Sequence, residues 1–526
     1  MSAIEKAASP SLKEFDRDQW VAAQRDMLGG KFHRGMTRYA ELLKRFPDMA
    51  ELWFEYGVAA SRALEFEEAG RAFQRTMELA QGDAGLLILV GQQHHHLQWM
   101  DQARECFKKA LEGNPGSIKA RLSMVEWLDL EGKPQEALEI LQPLLDDHPV
   151  DGQVQCLHGK MKAHLGKLDE AETIFRGALE SSRTNLPSRQ ACHHELALVL
   201  DKTMRHEEAL KNLEEAKAIL CRTQPVKRLQ DVYDQFDRRR RETLDEIKAG
   251  MIRCWTEEGR GKETTEEQVI LLAGHPRSGT TLLEQILGAH PRVLAHDEPP
   301  AFGQEVLESL SPMEGGTRLS AQGLDSLSPS RRSFFRERYF KSLARGRALN
   351  PGAPVLHLDK NPSYTGALHL WLRIFPRSKI IVALRDPRDV LVSCYFQNLN
   401  LNAISSNYTG WERLLKHYCD LMDVWLKLRE MGGFEWQESP YEGLVANPDA
   451  EVRRMTGFMG LDWDSMQSRF YETSGSRLVV SPNRAAVAQP VHQKAVSRWR
   501  FYRQALAPLQ ARLAPYCRTF GYEPGD

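Results

Sequence analysis

The sequence predicts a two-part chain: an all-α stack of helix pairs, then an α/β domain whose parallel sheet is flanked by helices. Three observations carry this. Small and apolar residues recur every 34 positions through the first half, a period that marks stacked helix pairs. After Gln268 the pattern changes to "VILLAG", a short apolar run, followed by a glycine loop and the helical stretch "TTLLEQILGAH". "SKIIVALRDP" repeats strand and loop, and "DVLVSCYFQNL" continues as a helix. Buried apolar strands alternating with helices imply a parallel sheet.

The chain has 526 residues, room for about two to four domains with sizeable cores. Its amino-terminal stretch, "MSAIEKAASPSLKEFDRD", is polar and lacks the apolar core of a signal peptide. No uninterrupted apolar run reaches membrane-spanning length. The charge is balanced, 70 basic against 71 acidic residues, which argues against a nucleic-acid partner. Eight scattered cysteines without a C-x-x-C pair argue against a zinc site and a disulfide scaffold. These features predict a soluble, cytoplasmic protein with no membrane span.

Residues 16–222 hold five to six repeats. Ala69, Ala103, Ala137 and Ala171 keep the 34-residue step, as do Phe73, Phe107, Leu141 and Phe175. The alanine lets two helices approach, and the aromatic four residues later packs on the same face. Pro47, Pro115 and Pro149 share one grid, with Gln81 at the vacant place; proline stops the second helix of each pair. Gly57, Gly91 and Gly159 form another row, with Val125 between. The first unit carries Gly35 and Tyr39 in the alanine and aromatic slots, and the last, "RHEEALKNLEEA", is offset by four. These rows resemble the tetratricopeptide repeat family. The resemblance implies a solenoid whose concave surface binds an extended peptide or protein partner. "HHH" at 94–96 is expected on a solvated surface, because consecutive helical residues point in different directions and rarely converge on one metal ion.

Residues 223–266 read as a charged helical connector. Acidic neighbours beside Arg238–Arg241 predict a solvated helix face; a basic rim near an acidic substrate is the alternative.

Residues 267–526 form the α/β domain. "LLAGHPRSGTTLLEQIL" keeps the glycines and hydroxyls of a phosphate-binding loop, at Gly274, Ser278, Gly279, Thr280 and Thr281. Backbone N–H groups and a helix N-terminus in such a loop cradle phosphate. The P-loop lysine is replaced by Thr280. That lysine follows the outer phosphates of a triphosphate, so its absence points to a different anion beyond the first phosphate. Arg277 offers forked donors suited to a tetrahedral oxyanion. No acidic metal-binding strand accompanies the loop, so no metal is expected. In "RDPRDVLVS", Arg385 and Ser393 are spaced to clamp a second phosphate. Two phosphate sites on one sheet suggest a nucleotide phosphorylated at two places.

"GHPRSGTTLLEQILGAHP" resembles the 5′-phosphosulfate loop of sulfotransferases, and "SKIIVALRDPRDVLVS" their 3′-phosphate motif. Within that superfamily the pattern is most similar to the tyrosylprotein sulfotransferases, over about residues 267–505. The resemblance implies a P-loop-like sulfotransferase domain using 3′-phosphoadenosine-5′-phosphosulfate and a hydroxyl acceptor, with protein tyrosine favoured. It implies Glu298 as general base, and Lys360 and Arg277 as the groups that offset charge on the sulfuryl and the leaving phosphate. Ser278, Gly279, Thr280 and Thr281 would cradle the 5′-phosphate, and Arg385 and Ser393 would clamp the 3′-phosphate. Tyr441 and Arg498 would lie near the nucleotide. Asp297 is the alternative base. His290 is expected to cap or pack, with His296 also flanking the loop; Arg388 is expected to pair with Asp386 or Asp389, and Trp499 to pack. Gln397 stands where the animal enzymes carry a basic residue. Asn483 and Ala486, in residues 481–490, depart from the pattern of a loop that folds over the nucleotide. Alternatives are a sugar, lipid or small-metabolite acceptor, a P-loop kinase or ATPase, and an inactive scaffold.

Overall fold

The computed structural model describes residues 14–260, 268–313, 318–345, 356–398, 400–474 and 491–523. The chain divides into two compact units, one running to Thr184 and the other beginning at Asn185, with a short stretch from Ala344 grouped with the first.

Helix pairs fill the first unit. The leading helices begin at Ala50, Ala84, Ile118 and Gly152, and their partners at Phe66, Met100, Pro134 and Leu168. Each start is thus 34 residues after the last. The second helices end at Arg45, Leu79, Gly113 and Asp147, so Pro47, Gln81, Pro115 and Pro149 each stand two residues beyond a helix end. Asp83, Ser117 and Asp151 cap the leading helices by accepting backbone N–H bonds, which satisfies donors a helix start leaves orphaned. The turn inside each pair passes through left-handed backbone, at Gly30, Leu64, Gln98, Gly132 and Gly166. Ala69, Ala103, Ala137 and Ala171 are fully buried.

The glycine row and the aromatic row form one device. A Cβ added at Gly57 would lie 2.7 Å from Phe73, at Gly91 3.0 Å from Phe107, and at Gly159 2.6 Å from Phe175. Each glycine is the hole its aromatic fills. Where Val125 occupies the glycine slot, the aromatic slot holds the smaller Leu141, in the same buried cluster. Gly159→Val is therefore expected to cost about 1–3 kcal/mol by overpacking, and Phe175→Leu added to it should recover part of the loss. Urea denaturation of the two single variants and the double variant measures this; a double variant no more stable than the less stable single one would refute the pairing.

His94 departs from expectation. It is buried, 5.3 Å from the Phe73 ring and 5.6 Å from Trp99, and burial lowers its pKa to about 4. His95 lies edge-on to Trp127, and His96 alone of the three is exposed. Helical spacing sent the three side chains to three environments.

The second unit begins with a further helix pair, Leu186–Lys202 and His206–Thr223, whose leading helix starts 34 residues after Gly152. That helix has 17 residues where the one before has 13, which accounts for the offset of four read in the sequence. Compactness thus divides the chain at 184/185, whereas the repeat pattern runs on to 222.

The helices Val226–Glu246 and Ala249–Arg260 follow and pack within this unit. A solvated face for Arg238–Arg241 holds only for Arg238. Arg239 donates to the carbonyls of Pro312 and Met313, Arg240 is 5% exposed with its guanidinium 4.1 Å over Phe236, and Arg241 pairs with Asp237 and Asp420. Acidic residues more than 170 positions away, brought up by the helix Trp411–Met431, turn this run inward.

A five-stranded parallel sheet organises the rest: β1 Gln268–Gly274, β2 Val293–Asp297, β3 Leu356–Lys360, β4 Lys379–Leu384 and β5 Trp436–Pro440, in the order β2-β3-β1-β4-β5. Ile270, Leu272, Ile381 and Ala383 pack with the helices Thr280–Gly288 and Pro448–Met459. The alternate residues Leu271, Ala273, Ile380 and Val382 are equally buried, as strands covered on both faces require. Among the described residues no helix is long and apolar enough to cross a membrane.

Candidate active site

The carboxyl ends of β1 and β4 carry the residues expected to bind an anion. β1 ends at Gly274, with φ 129°. A Cβ there would lie 2.4 Å from the Ala383 carbonyl oxygen on β4, so only glycine permits the strands to meet. Thr365 Oγ1 accepts from Gly274 N at 2.8 Å and donates to Gly274 O at 2.6 Å. Arg277 and Gly279 are left-handed, with φ 74° and 89°, and Ser278 N donates to His275 O. The chain then enters the helix Thr280–Gly288, with Ser278, Thr280 and Thr281 buried at its start. A helix N-terminus with free N–H groups attracts an anion.

Arg277, Arg385, Ser393 and Tyr441 meet around this loop. Arg277 Nε donates to Ser393 Oγ at 3.1 Å. Arg385 Nη1 donates to Arg277 O at 3.1 Å, and its guanidinium lies 4.8 Å over the Tyr441 ring. Tyr441 packs so closely that a Cβ at Gly279 would be 2.5 Å from it. Arg385 is 7% exposed, its Nη2 donates to Ala495 O at 2.5 Å, and its buried Nε has no hydrogen-bond partner among the described residues. Burial and the charge of Arg385 lower the Arg277 pKa. Two crowded guanidiniums and an orphaned donor suit an anion with more than one phosphate-like group.

A second group sits at the ends of β2 and β3. Lys360 pairs in register with Leu272 on β1 and Asp297 on β2. Its side chain is fully buried, with Nζ 2.8 Å from Glu298 Oε1 and paired with Asp297 Oδ1. Burial alone would lower its pKa, but Glu298, Asp297 and Glu284 outweigh that and raise it. Glu298 has a left-handed backbone, φ 46°, and its N–H donates to Lys360 O at 2.8 Å. The Glu298 side chain is 53% exposed against 7% for Asp297. Its charge also acts on Arg277, and Lys360 stands on the strand beside the one that leads into the loop.

Other candidates have different partners. Arg498 Nη2 donates to Asp201 at 2.8 Å, and its guanidinium lies 4.3 Å over Phe396. Arg388 forms a two-pronged pair with Asp386 and covers the buried Trp499 ring at 3.7 Å, as expected for both. His290 donates to Asp462 O and accepts from Arg292 N, a packing and turn-stabilising role. His296 Nε2 lies 3.0 Å from His357 Nδ1. Residues 481–490, with Asn483 and Ala486, fall outside the described residues.

Sequence reasoning missed His275. It is buried beneath the loop, donates from Nδ1 to Pro276 O at 2.8 Å, and accepts at Nε2 from His417 Nδ1 at 3.0 Å. Burial lowers its pKa to about 4, so the ring is neutral and its tautomer is set by these two bonds. His417 lies 142 positions away, beyond any local pattern. Among the described residues no group of three or more His, Cys, Asp or Glu could hold a metal ion.

Comparison with known proteins gives this geometry a class. Residues 269–465 match the sulfotransferase family model, so the carboxyl-terminal half carries a sulfotransferase-family domain. Residues 22–84 and 100–161 match two tetratricopeptide repeat models, which makes the chain a helical repeat region joined to that domain. An uncharacterized protein of Aquifex aeolicus is 26% identical over 422 residues, covering 78% of this chain and 52% of that one. The chain thus spans about half the length of that relative. Protein-tyrosine sulfotransferase 2 of Gallus gallus is 26% identical over 277 residues, 49% of this chain and 70% of its own. The sulfotransferase domain of the Synechococcus PCC 7002 olefin synthase is 20% identical with a TM-score of 0.34, covering 50% of this chain and 98% of its own.

Proposed function

We propose that the second unit transfers a sulfuryl group to an acceptor hydroxyl, with a protein tyrosine favoured as acceptor. The observation that carries this reading is the buried Lys360, held between Asp297 and the half-exposed Glu298, on the strand beside the one that leads into the loop of Arg277. When bound, 3′-phosphoadenosine-5′-phosphosulfate supplies the sulfuryl group. Ser278, Gly279, Thr280, Thr281 and the helix start hold its 5′ side, and Arg385 with Ser393 its 3′-phosphate; the orphaned Arg385 Nε fits an added oxyanion. The Tyr441 ring lies against the Arg385 guanidinium. Glu298 accepts the proton of the attacking hydroxyl. Lys360 and Arg277 offset the negative charge that develops, in a site where little water screens them. Arg498 serves indirectly, through its tie to Asp201.

Tyrosine is favoured by the names of the Gallus gallus relative and of the 26% identical Danio rerio protein-tyrosine sulfotransferase 1. The repeat region would bind the acceptor protein or another peptide. Free thiols at all eight cysteines fit a reducing compartment such as the cytoplasm.

Adenosine 3′,5′-bisphosphate is expected to raise the melting temperature well above the effect of 5′-AMP. Arg385→Ala should shrink that difference, since a charge-assisted hydrogen bond contributes about 1.5–3 kcal/mol. Equal stabilisation by the two nucleotides overturns the donor assignment. With labelled donor and a tyrosine-containing acidic peptide, followed by sugar, lipid and small-metabolite acceptors, turnover is expected to persist in excess EDTA. A strict magnesium requirement, with stabilisation by ATP, would favour the kinase or ATPase reading instead.

A further inference from the structure

The helix pair Leu186–Lys202 and His206–Thr223 continues the repeat register, which suggests partner binding alone. Its contacts within the second unit say otherwise. Three of its side chains hold three consecutive residues. His194 Nε2 donates to Phe396 O at 3.1 Å, Lys217 Nζ to Gln397 O at 3.1 Å, and Gln190 Nε2 to Asn398 Oδ1 at 3.3 Å. These residues follow directly on the helix Pro387–Tyr395, which carries Ser393. Gln397 Nε2 donates back to Ser393 O at 3.1 Å, and Ser393 Oγ accepts from Arg277 Nε at 3.1 Å. An unbroken path of hydrogen-bonded residues therefore runs from Lys217 to the anion-binding loop.

Lys217 is an expensive residue to keep there. It is 8% exposed, its ammonium lies 5.2 Å over the Tyr395 ring, and no carboxylate pairs with it among the described residues. Burial lowers its pKa to about 8, with Cys394 and Cys221 acting weakly in the opposite direction. A buried lysine without a counter-ion costs stability, so packing alone does not account for it. The cleft it lines measures about 20 Å³, room for a water molecule and not for a substrate group. Lys217 thus acts through Gln397 and not on a ligand directly. The same helix pair holds the other flank: Asp201 accepts from Arg498 and from the Tyr502 hydroxyl, while Asp389 binds the backbone N–H groups of Ser497 and Trp499.

We propose that this last repeat pair is a wall of the catalytic site, and that Lys217 is the positioning residue that holds Ser393 and Arg277 ready for the donor nucleotide. The assignment rests on the sulfotransferase reading above.

The test uses the full chain, with calorimetric titration of adenosine 3′,5′-bisphosphate and donor kinetics. Lys217→Met keeps the volume and removes the donor; Lys217→Gln keeps a donor without the charge. The Met variant is expected to bind about tenfold more weakly and to raise the donor KM similarly, the scale of one lost charge-assisted hydrogen bond. The Gln variant should recover most of that loss while both melt close to the parent protein. A Met variant that binds like the parent overturns the proposal. So does equal weakening in both variants that tracks lost melting temperature. If the Met variant does not fold, the part-exposed Gln190→Ala decides: binding weakened about two- to threefold supports the clamp, and unchanged binding overturns it. A parent protein that ignores the nucleotide overturns the donor reading itself and this assignment with it.

Discussion

Glu298→Gln is expected to lower turnover by roughly 10²–10⁴-fold, the usual span for removing a general base, while binding of adenosine 3′,5′-bisphosphate persists. The glutamine keeps the shape but cannot take a proton. Glu298 is the only one of the two neighbouring carboxylates with substantial exposure, 53% against 7%, so an acceptor hydroxyl can reach it. Its left-handed backbone is tied to β3 through Lys360 O, which holds the carboxylate at the strand ends. Asp297→Asn should act differently. It weakens the grip on Lys360 and so lowers stability as well as rate, and a denaturation curve separates the two effects. Single-turnover transfer from labelled donor measures the chemical step; an active Glu298→Gln beside a stable but inactive Asp297→Asn would assign the base to Asp297.

Lys360→Met is expected to abolish measurable turnover and also to destabilise the fold by about 3–5 kcal/mol, the cost of leaving one partner of a buried ion pair behind. The side chain has no exposure at all, so the methionine fits the volume but removes the buried charge that Asp297 and Glu298 face. Adding Asp297→Asn to Lys360→Met should restore much of the stability and none of the activity. Guanidinium denaturation, with transfer assays on the same samples, measures both. A double variant as unstable as the single one would mean that the pair with Asp297 is not what makes Lys360 structurally important.

The two loop motifs are legible in the sequence because each is a local device. Gly274, Gly279 and the hydroxyls of the first loop are dictated by a strand-to-helix turn of a few residues, and Arg385 and Ser393 by one strand end and the helix after it. The repeat rows were readable for the same reason: each glycine faces an aromatic 16 positions later, as Gly57 does Phe73, and the contact recurs with the period. The cap row at Asp83, Ser117, Asp151 and Asn185 carries the same register, and a search for helix starts would have found it. His94 and Arg240 are buried where helical direction and acidic neighbours predict a solvated surface. Their burial depends on Phe73 and Trp99 in one case and on Phe236 and the close approach of Gly366 in the other.

By itself the sequence determined the helical repeats, the parallel α/β domain, the glycine loop between its first strand and helix, and a pairing of motifs that resembles sulfotransferases. Those follow from periodicity and turn chemistry, which act over a few tens of residues. Only the tertiary structure decided that Lys360 is wholly buried between two carboxylates, that Glu298 is the open one, and that Arg498 answers to Asp201. It alone joined Lys217 to Gln397 across 180 positions and Arg277 to Ser393 across 116. Exposure and charge pairing are properties of what the folded chain brings together, and no local pattern encodes a partner that far away.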